Sequence, residues 1–303
     1  MSSPNIGTGE NVLLGIARVP NNSLLWSVGY YLNSSIGNDK TLIEEWDGGN
    51  WNVVSSPNPA TNNNVLNSVV ALSISNVWAV GYGTNAQGDR QSLVEHWDGT
   101  SWNVISSPNP SSYYNVFNGV ARVPNTNQLW AVGYEGNSNG DLQTLIEHWN
   151  GTSWKVVSSP NPGLSYNLLY GITAISTSNV WAVGYIYDNS NSFSQTLIEH
   201  WNGTNWSVVS SANPAASINR LQAIAAISAN NIWVVGYEAN TNIYQTLIEH
   251  WDGASWNVIS SPNPDPNSNF LYGIARVPGT SHLWNVGYNS NYPTEQTLIE
   301  FYC

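Results

Sequence analysis

The chain has 303 residues, 7 Lys and Arg against 19 Asp and Glu, and a formal net charge of −12, with only 9% of residues charged. So few cations exclude the basic footprint that a nucleic-acid backbone requires, and the scarcity of Glu, Lys and Arg argues against surface helices built on i,i+4 pairs. No apolar run approaches the roughly 18 residues of a membrane span, Met1-Ser2-Ser3-Pro4 lacks the basic and apolar regions of a signal peptide, and the one cysteine, Cys303, allows neither an internal disulfide nor a multi-Cys metal site.

Along the chain a fixed period dominates, and such a period decides the fold. Trp-x-Val-Gly-Tyr begins at Trp26, Trp78, Trp130, Trp181, Trp233 and Trp284, at intervals of 52, 52, 51, 52 and 51 residues. A second phrase, Leu-(Ile/Val)-Glu-His-Trp-(Asp/Asn)-Gly-x-x-Trp, recurs in register, complete at 145–154, with tryptophan pairs 46/51, 97/102, 149/154, 201/206 and 251/256. Together the two phrases use all 16 tryptophans, so none is left as a special functional residue. Each period holds four short β-like runs. In the fourth repeat strand A is expected at 169–175, B at 180–185, C at 195–201 and D at 206–211, with Asn202-Gly203 as the C–D turn. A Ser-Ser-Pro-Asn-Pro connection of constant length leads from D to the next A, whereas the B–C loops vary and are rich in Asn, Ser and Gly. The sixth repeat stops at Glu300-Phe301-Tyr302-Cys303, without a strand D. The arithmetic is that of an all-β, six-bladed β-propeller in one domain, residues 1–303, with four-stranded antiparallel blades, a three-stranded last blade and 23 main strands. Strand A carries the smallest residues and is expected nearest the axis.

These residues also carry a resemblance. The run Asn-Val-Trp-Ala-Val-Gly-Tyr, followed by Gln-Thr-Leu-Ile-Glu-His-Trp-Asn-Gly-Thr-Ser-Trp-Lys-Val-Val-Ser-Ser-Pro-Asn-Pro, resembles highly repetitive bacterial β-propeller proteins made of near-identical blades, over essentially the whole chain. That resemblance implies the propeller fold, and its nearest functional analogy is with multi-bladed lectins. The Asp-Gly-x-x-Trp turn is similar to the Asp-box hairpin of sialidase-type propellers, but it lacks a spacer between Asp98 and Gly99, so no sialidase activity is implied.

Candidate chemistry divides into what repeats and what does not. The repeated pairs Glu95/His96, Glu147/His148, Glu199/His200 and Glu249/His250 place neighbours on opposite faces of a strand, so they form no dyad. Each Glu is expected to accept backbone or Trp N–H bonds in the interior. Equivalent tryptophans read as core. Better ligand candidates are the aromatics outside the pattern, in the D–A and B–C loops: Tyr31, Tyr113, Tyr114, Tyr166, Tyr187, Phe193, Tyr244 and Tyr292. The B–C loops add one acid each, Asp39, Asp89, Asp141, Asp188, Glu238 and Glu295. Both loop sets are expected on one rim, a surface suited to hydroxyl-rich ligands or a protein partner. Arg18, Arg122 and Arg276 end strand A and are expected to bond strand-end carbonyls. No phosphate loop, nucleophile elbow or zinc-protease motif is present, and neither a catalytic residue nor a metal or cofactor is expected. Near-identical blades supply one residue to several places, where catalysis needs different residues at one point. The sequence therefore points to a non-enzymatic, multivalent binding propeller, a carbohydrate-binding lectin using its rim loops. A protein-interaction scaffold with an acidic, Tyr-dotted rim is the alternative, and an enzyme with a single loop-built rim site the third reading. Glycans or a protein are the expected partners, and the Asn/Ser/Thr-rich composition points to an extracellular or cell-surface setting.

Overall fold

The computed structural model describes residues 2–190, 192–291 and 294–303. Among these all regular structure is β, in 23 strands. The chain separates into two compact units, Met1–Asp141 with Leu145–Val157, and Leu142–Thr144 with Ser158–Cys303.

In the first unit the strands come in fours. They are β1 (Asn11–Arg18), β2 (Leu25–Asn33), β3 (Asn38–Trp46) and β4 (Trp51–Val53); β5 (Asn64–Ser73), β6 (Asn76–Thr84), β7 (Arg90–Trp97) and β8 (Trp102–Val104); and β9 (Tyr114–Arg122), β10 (Leu129–Gly136), β11 (Leu142–Trp149) and β12 (Trp154–Val156). The second unit continues with β13 (Tyr166–Ser176), β14 (Asn179–Asp188), β15 (Phe193–Trp201) and β16 (Trp206–Val208); β17 (Ile218–Ser228), β18 (Asn231–Ala239), β19 (Tyr244–Trp251) and β20 (Trp256–Val258); and β21 (Asn269–Arg276), β22 (Leu283–Asn291) and β23 (Thr294–Tyr302). Within each group successive strands pair antiparallel. β1–β4 form a separate sheet and β21–β23 a separate three-stranded one, but β5–β20 are one sixteen-stranded sheet by hydrogen bonding. Its four-stranded groups are joined by single parallel residue pairs, such as Arg90 with Tyr114 and Ser194 with Ile218.

Packing between successive groups makes the core. In the first unit Trp26, Val28 and Ile43 meet Leu66, Val69, Leu93 and Trp102, and Trp78, Val80 and Val94 meet Phe117, Val120, Leu145 and Trp154. The second unit repeats this with Trp181, Val183 and Ile198 against Leu221, Ile224, Leu247 and Trp256. The repeated tryptophans are thus interior in most groups, with edge-on contacts such as Trp26–Trp102 at 5.3 Å. Trp284 is the departure, 46% exposed.

Several of the repeated polar letters have a bond to make. Asn64 Oδ1 accepts the Ala60 N–H at 2.9 Å and its Nδ2 donates to the Ala60 carbonyl at 3.1 Å; Asn115, Asn167, Asn219 and Asn269 do the same for their own connections. The Asn of Ser-Ser-Pro-Asn accepts a strand-C amide, as Asn161 does from Thr144 at 2.8 Å. The glycine of Trp-x-Val-Gly-Tyr faces a β-bulge in strand A: the register shifts between Leu66 and Ser68, and a Cβ on Gly81 would overlap the Val65 carbonyl oxygen.

Two expectations are corrected. The D strands are three residues long, not six, because after one more ladder bond (Val209 N–H to Ile198 O, 2.9 Å) the chain turns polar toward proline, which has no N–H to give. Strands A, B and C run longer than expected, so ten residues assigned to loops lie in strands: Tyr31, Tyr114, Tyr166, Tyr187, Phe193, Tyr244, Asp39, Asp188, Glu238 and Glu295. Tyr113, Asp89 and Asp141 remain in connections, and Tyr292 lies outside the described residues.

Candidate ligand-binding site

The second unit holds a cleft of about 270 Å³ lined by Pro162, Gly163, Leu164, Ile186, Tyr187, Asp188, Phe193 and Gln195. It forms where β14 ends and β15 begins. Ladder pairs Asp188–Phe193 and Ile186–Gln195 put these four side chains on one face by strand alternation. Tyr187 belongs to the other face, where its ring stacks on Tyr166 at 5.7 Å and 23°. The Asp188 carboxylate accepts the Ser190 amide at 2.9 Å and its hydroxyl at 2.8 Å, and these bonds hold its carboxyl below the usual carboxylate range. Phe193 is 46% exposed and Leu164 83% exposed. The result is an open apolar surface beside an ionised carboxylate and a primary amide. An aromatic face packs on the C–H side of a sugar ring, while carboxylate and amide bond its hydroxyls.

Three sequence candidates line this cleft, Tyr187, Asp188 and Phe193, with Tyr166 stacked on Tyr187 beside it, and the others are placed differently. In the first unit Asp89 and Asp141 turn back onto their own loops, accepting from Asn85 and Asn137 side chains at 3.0 and 3.2 Å. Asp39 is half-buried, its carboxyl pushed up by burial and by the charge of Glu10, and Tyr31 pairs across the ladder with Lys40. Tyr113 and Tyr114 are exposed, and in the second unit so is Glu295. Glu238 is half-buried with its carboxyl pushed up by burial. Tyr244 packs on Tyr237 and Phe270. Arg18 and Arg276 bond the carbonyls of Asn22 and Thr280, and Arg122 lines a polar cleft of about 530 Å³ with Asn21, Asn76 and Asn125. Among the described residues no group of His, Cys, Asp and Glu is placed to hold a metal ion.

Several glutamates of the repeat make interior bonds, one with a backbone N–H as expected and others with a serine hydroxyl. The glutamates accept from the serine before proline: Ser107 to Glu147 at 2.7 Å, Ser261 to Glu300 at 2.8 Å, and Ser3 to both oxygens of Glu44 at 2.9 and 2.8 Å. Glu249 takes a backbone N–H, that of Ala212, at 3.3 Å. Both Glu95 oxygens are buried without a partner, and burial pushes this carboxyl up to about 8. His96 stacks on Trp78 at 4.3 Å; the Trp78 indole N–H and the His96 Nε2–H both donate to Asn76 Oδ1, at 2.7 and 3.0 Å.

Arg220 is the residue that sequence reasoning passed over. It stands directly opposite Tyr237 in the β17–β18 ladder. Its guanidinium lies 4.4 Å from the Tyr185 ring centre, Nε donates to Ser194 Oγ at 3.2 Å and Nη1 to the Tyr237 hydroxyl at 3.3 Å. Tyr170 and Tyr272 occupy the bulge positions of β13 and β21, and each stacks on the tyrosine of its neighbouring strand B, Tyr185 and Tyr288. The signal was in strand A of the fifth repeat, which reads Asn-Arg-Leu where the others carry Val, Leu or Phe at the middle position.

No protein-family model matches the chain, and no curated protein matches it. Solved structures do. A sialidase of Trypanosoma rangeli in complex with 2,3-difluorosialic acid aligns with TM-score 0.62 at 11% identity over 96% of this chain and 53% of its own. YCF48 bound to a D1 peptide gives 0.51 at 12% identity over 89% and 73%. A Thermus thermophilus protein described as a glucose dehydrogenase-type oxidoreductase gives 0.50 at 12% identity over 96% of both chains. At such identities the likeness is one of fold: the chain is all-β and propeller-like.

Proposed function

We propose that the chain is a non-enzymatic binding protein, its six repeats being six propeller blades, and that its ligand is a carbohydrate held in the Phe193 cleft. The carrying observation is the lining of that cleft, an exposed aromatic ring and apolar neighbours beside Asp188 and Gln195. At the position of Phe193 the other repeats carry Asn38, Asp89, Asp141, Ile243 and Thr294, and at that of Tyr187 they carry Leu32, Thr84, Gly136, Ala239 and Ser290. The lining is not repeated, which favours one ligand site over several equal ones. Glycan-array binding is the direct test. Phe193→Ala should weaken the best-bound glycan by about tenfold or more, the size of a lost aromatic contact, with an unchanged melting temperature. Absence of binding to any glycan at high protein density overturns the proposal, and so does undiminished binding by the variant.

A further inference from the structure

The cluster around Arg220 has a composition that the fold alone does not require. Of the five N–H donors of a guanidinium, two are used, on Ser194 and Tyr237. The groups it touches are neutral, the Ser194 and Tyr237 hydroxyls and the Tyr185 ring, and among the described residues it makes no ion pair with a carboxylate. A half-buried cation ordinarily recruits an acid, and this chain has 19 to offer. The aromatic surroundings are ordered: Tyr272 lies 5.8 Å from Tyr288 with rings 6° from parallel, Tyr237 meets Phe270 edge-on at 5.1 Å, and Tyr272 keeps 46% of its surface exposed. The Tyr237 hydroxyl, having accepted from Arg220, still has its own proton to donate.

We propose that Arg220 and its tyrosines form a second ligand site, on the opposite face of β15 from Phe193, that takes a carboxylate carried on a six-membered ring. The unused guanidinium N–H groups pair with the two carboxylate oxygens in the fork geometry that Arg favours. The Tyr237 O–H adds a third bond, and the ring lies against the open face of Tyr272. A uronic acid and an aromatic acid share this chemistry. Ser194, which holds Arg220, is buried between Phe193 and Gln195 in sequence, so strand alternation keeps the two sites apart.

Calorimetric titration of the whole chain with galacturonate, benzoate, galacturonate methyl ester and inorganic sulfate tests the site. At least one of the two acids should bind, the sugar or the aromatic arm identifying its source, and the ester should not. Arg220→Met should abolish binding, Arg220→Lys should weaken it by about tenfold through loss of the fork, and Tyr272→Ala should weaken it while leaving the melt cooperative. Phe193→Ala and Arg90→Met should leave it intact, which separates this site from the carbohydrate cleft. If Arg220→Met does not fold, the Lys and Tyr272 variants decide. Failure of both acids to bind overturns the proposal, as does equal binding of the ester or of sulfate, or wild-type affinity in the Arg220 variants.

Discussion

Single side chains in this protein are legible once their hydrogen bonds are assigned. Asn76 explains why Asn precedes Val-Trp and why His follows Glu twenty residues on, because one amide oxygen serves both rings. The repetition led to backbone or indole N–H partners for the glutamates; Ala212 supplies such a backbone N–H to Glu249, but the serine hydroxyls were missed, since the recurring Ser-Ser-Pro connection does not say which strand it touches. Glu95 is the sharpest case: fully buried, unpartnered, with its carboxyl near 8. Glu95→Gln keeps the shape and removes the titration. The variant should melt higher than wild type at pH 9, by about 2–4 °C for each kcal/mol gained, and the difference should shrink toward zero as pH falls below 4.5, measured by calorimetry. Arg220 was invisible for the opposite reason, since one atypical letter in a strand says nothing of the tyrosines that adjacent strands bring to it.

Strands and turns were the most readable level, because alternation and Asx-Gly turns act locally. Strand number and order followed from the period, whereas strand length did not: the ladder continues wherever the partner strand offers N–H and C=O groups, polar letters notwithstanding. The C–D hairpin shows what a turn can cost. Asp98 Oδ1 accepts the Thr100 and Ser101 amides at 2.8 and 3.0 Å, and Gly99 sits at φ +100, where an added Cβ would meet the Ser75 Cβ at 2.8 Å. Gly99→Ala should therefore destabilise by about 1–3 kcal/mol, read from denaturant midpoints, whereas Ala substitution at the neighbouring exposed Thr100 should cost about 1 kcal/mol or less. The Phe193 cleft was legible at this level only in part. The sequence singled out Tyr166, Tyr187, Asp188 and Phe193, but the pairing that sends Phe193 and Asp188 to one face and Tyr187 to the other follows from register.

Summed over the molecule, the repeats make stability depend on acidity. Glu95, Glu147, Glu199 and Glu249 are each pushed up by burial to about 8, from an ordinary 4.5. Between those values the folded chain holds protons that the unfolded chain releases, so this stabilisation is complete below 4.5 and is lost as pH rises through 8. His96, His148, His200 and His250 are shifted down by burial and act oppositely, but only below their ordinary 6.5. Above 6.5 the glutamates act alone, and the melting temperature should fall by about 5–10 °C between pH 6.5 and 9; a flat profile would mean that water reaches these carboxyls. The fold class was readable at this scale because one period governs every repeat, while a ligand site depends on the few letters that break it. The bonds from serine to glutamate have one more consequence. They span 41, 40 and 39 residues, nearly one repeat. A chain emerging from the ribosome can therefore fasten these three serines as soon as the next third strand appears, and folding can keep pace with synthesis from the amino end onward.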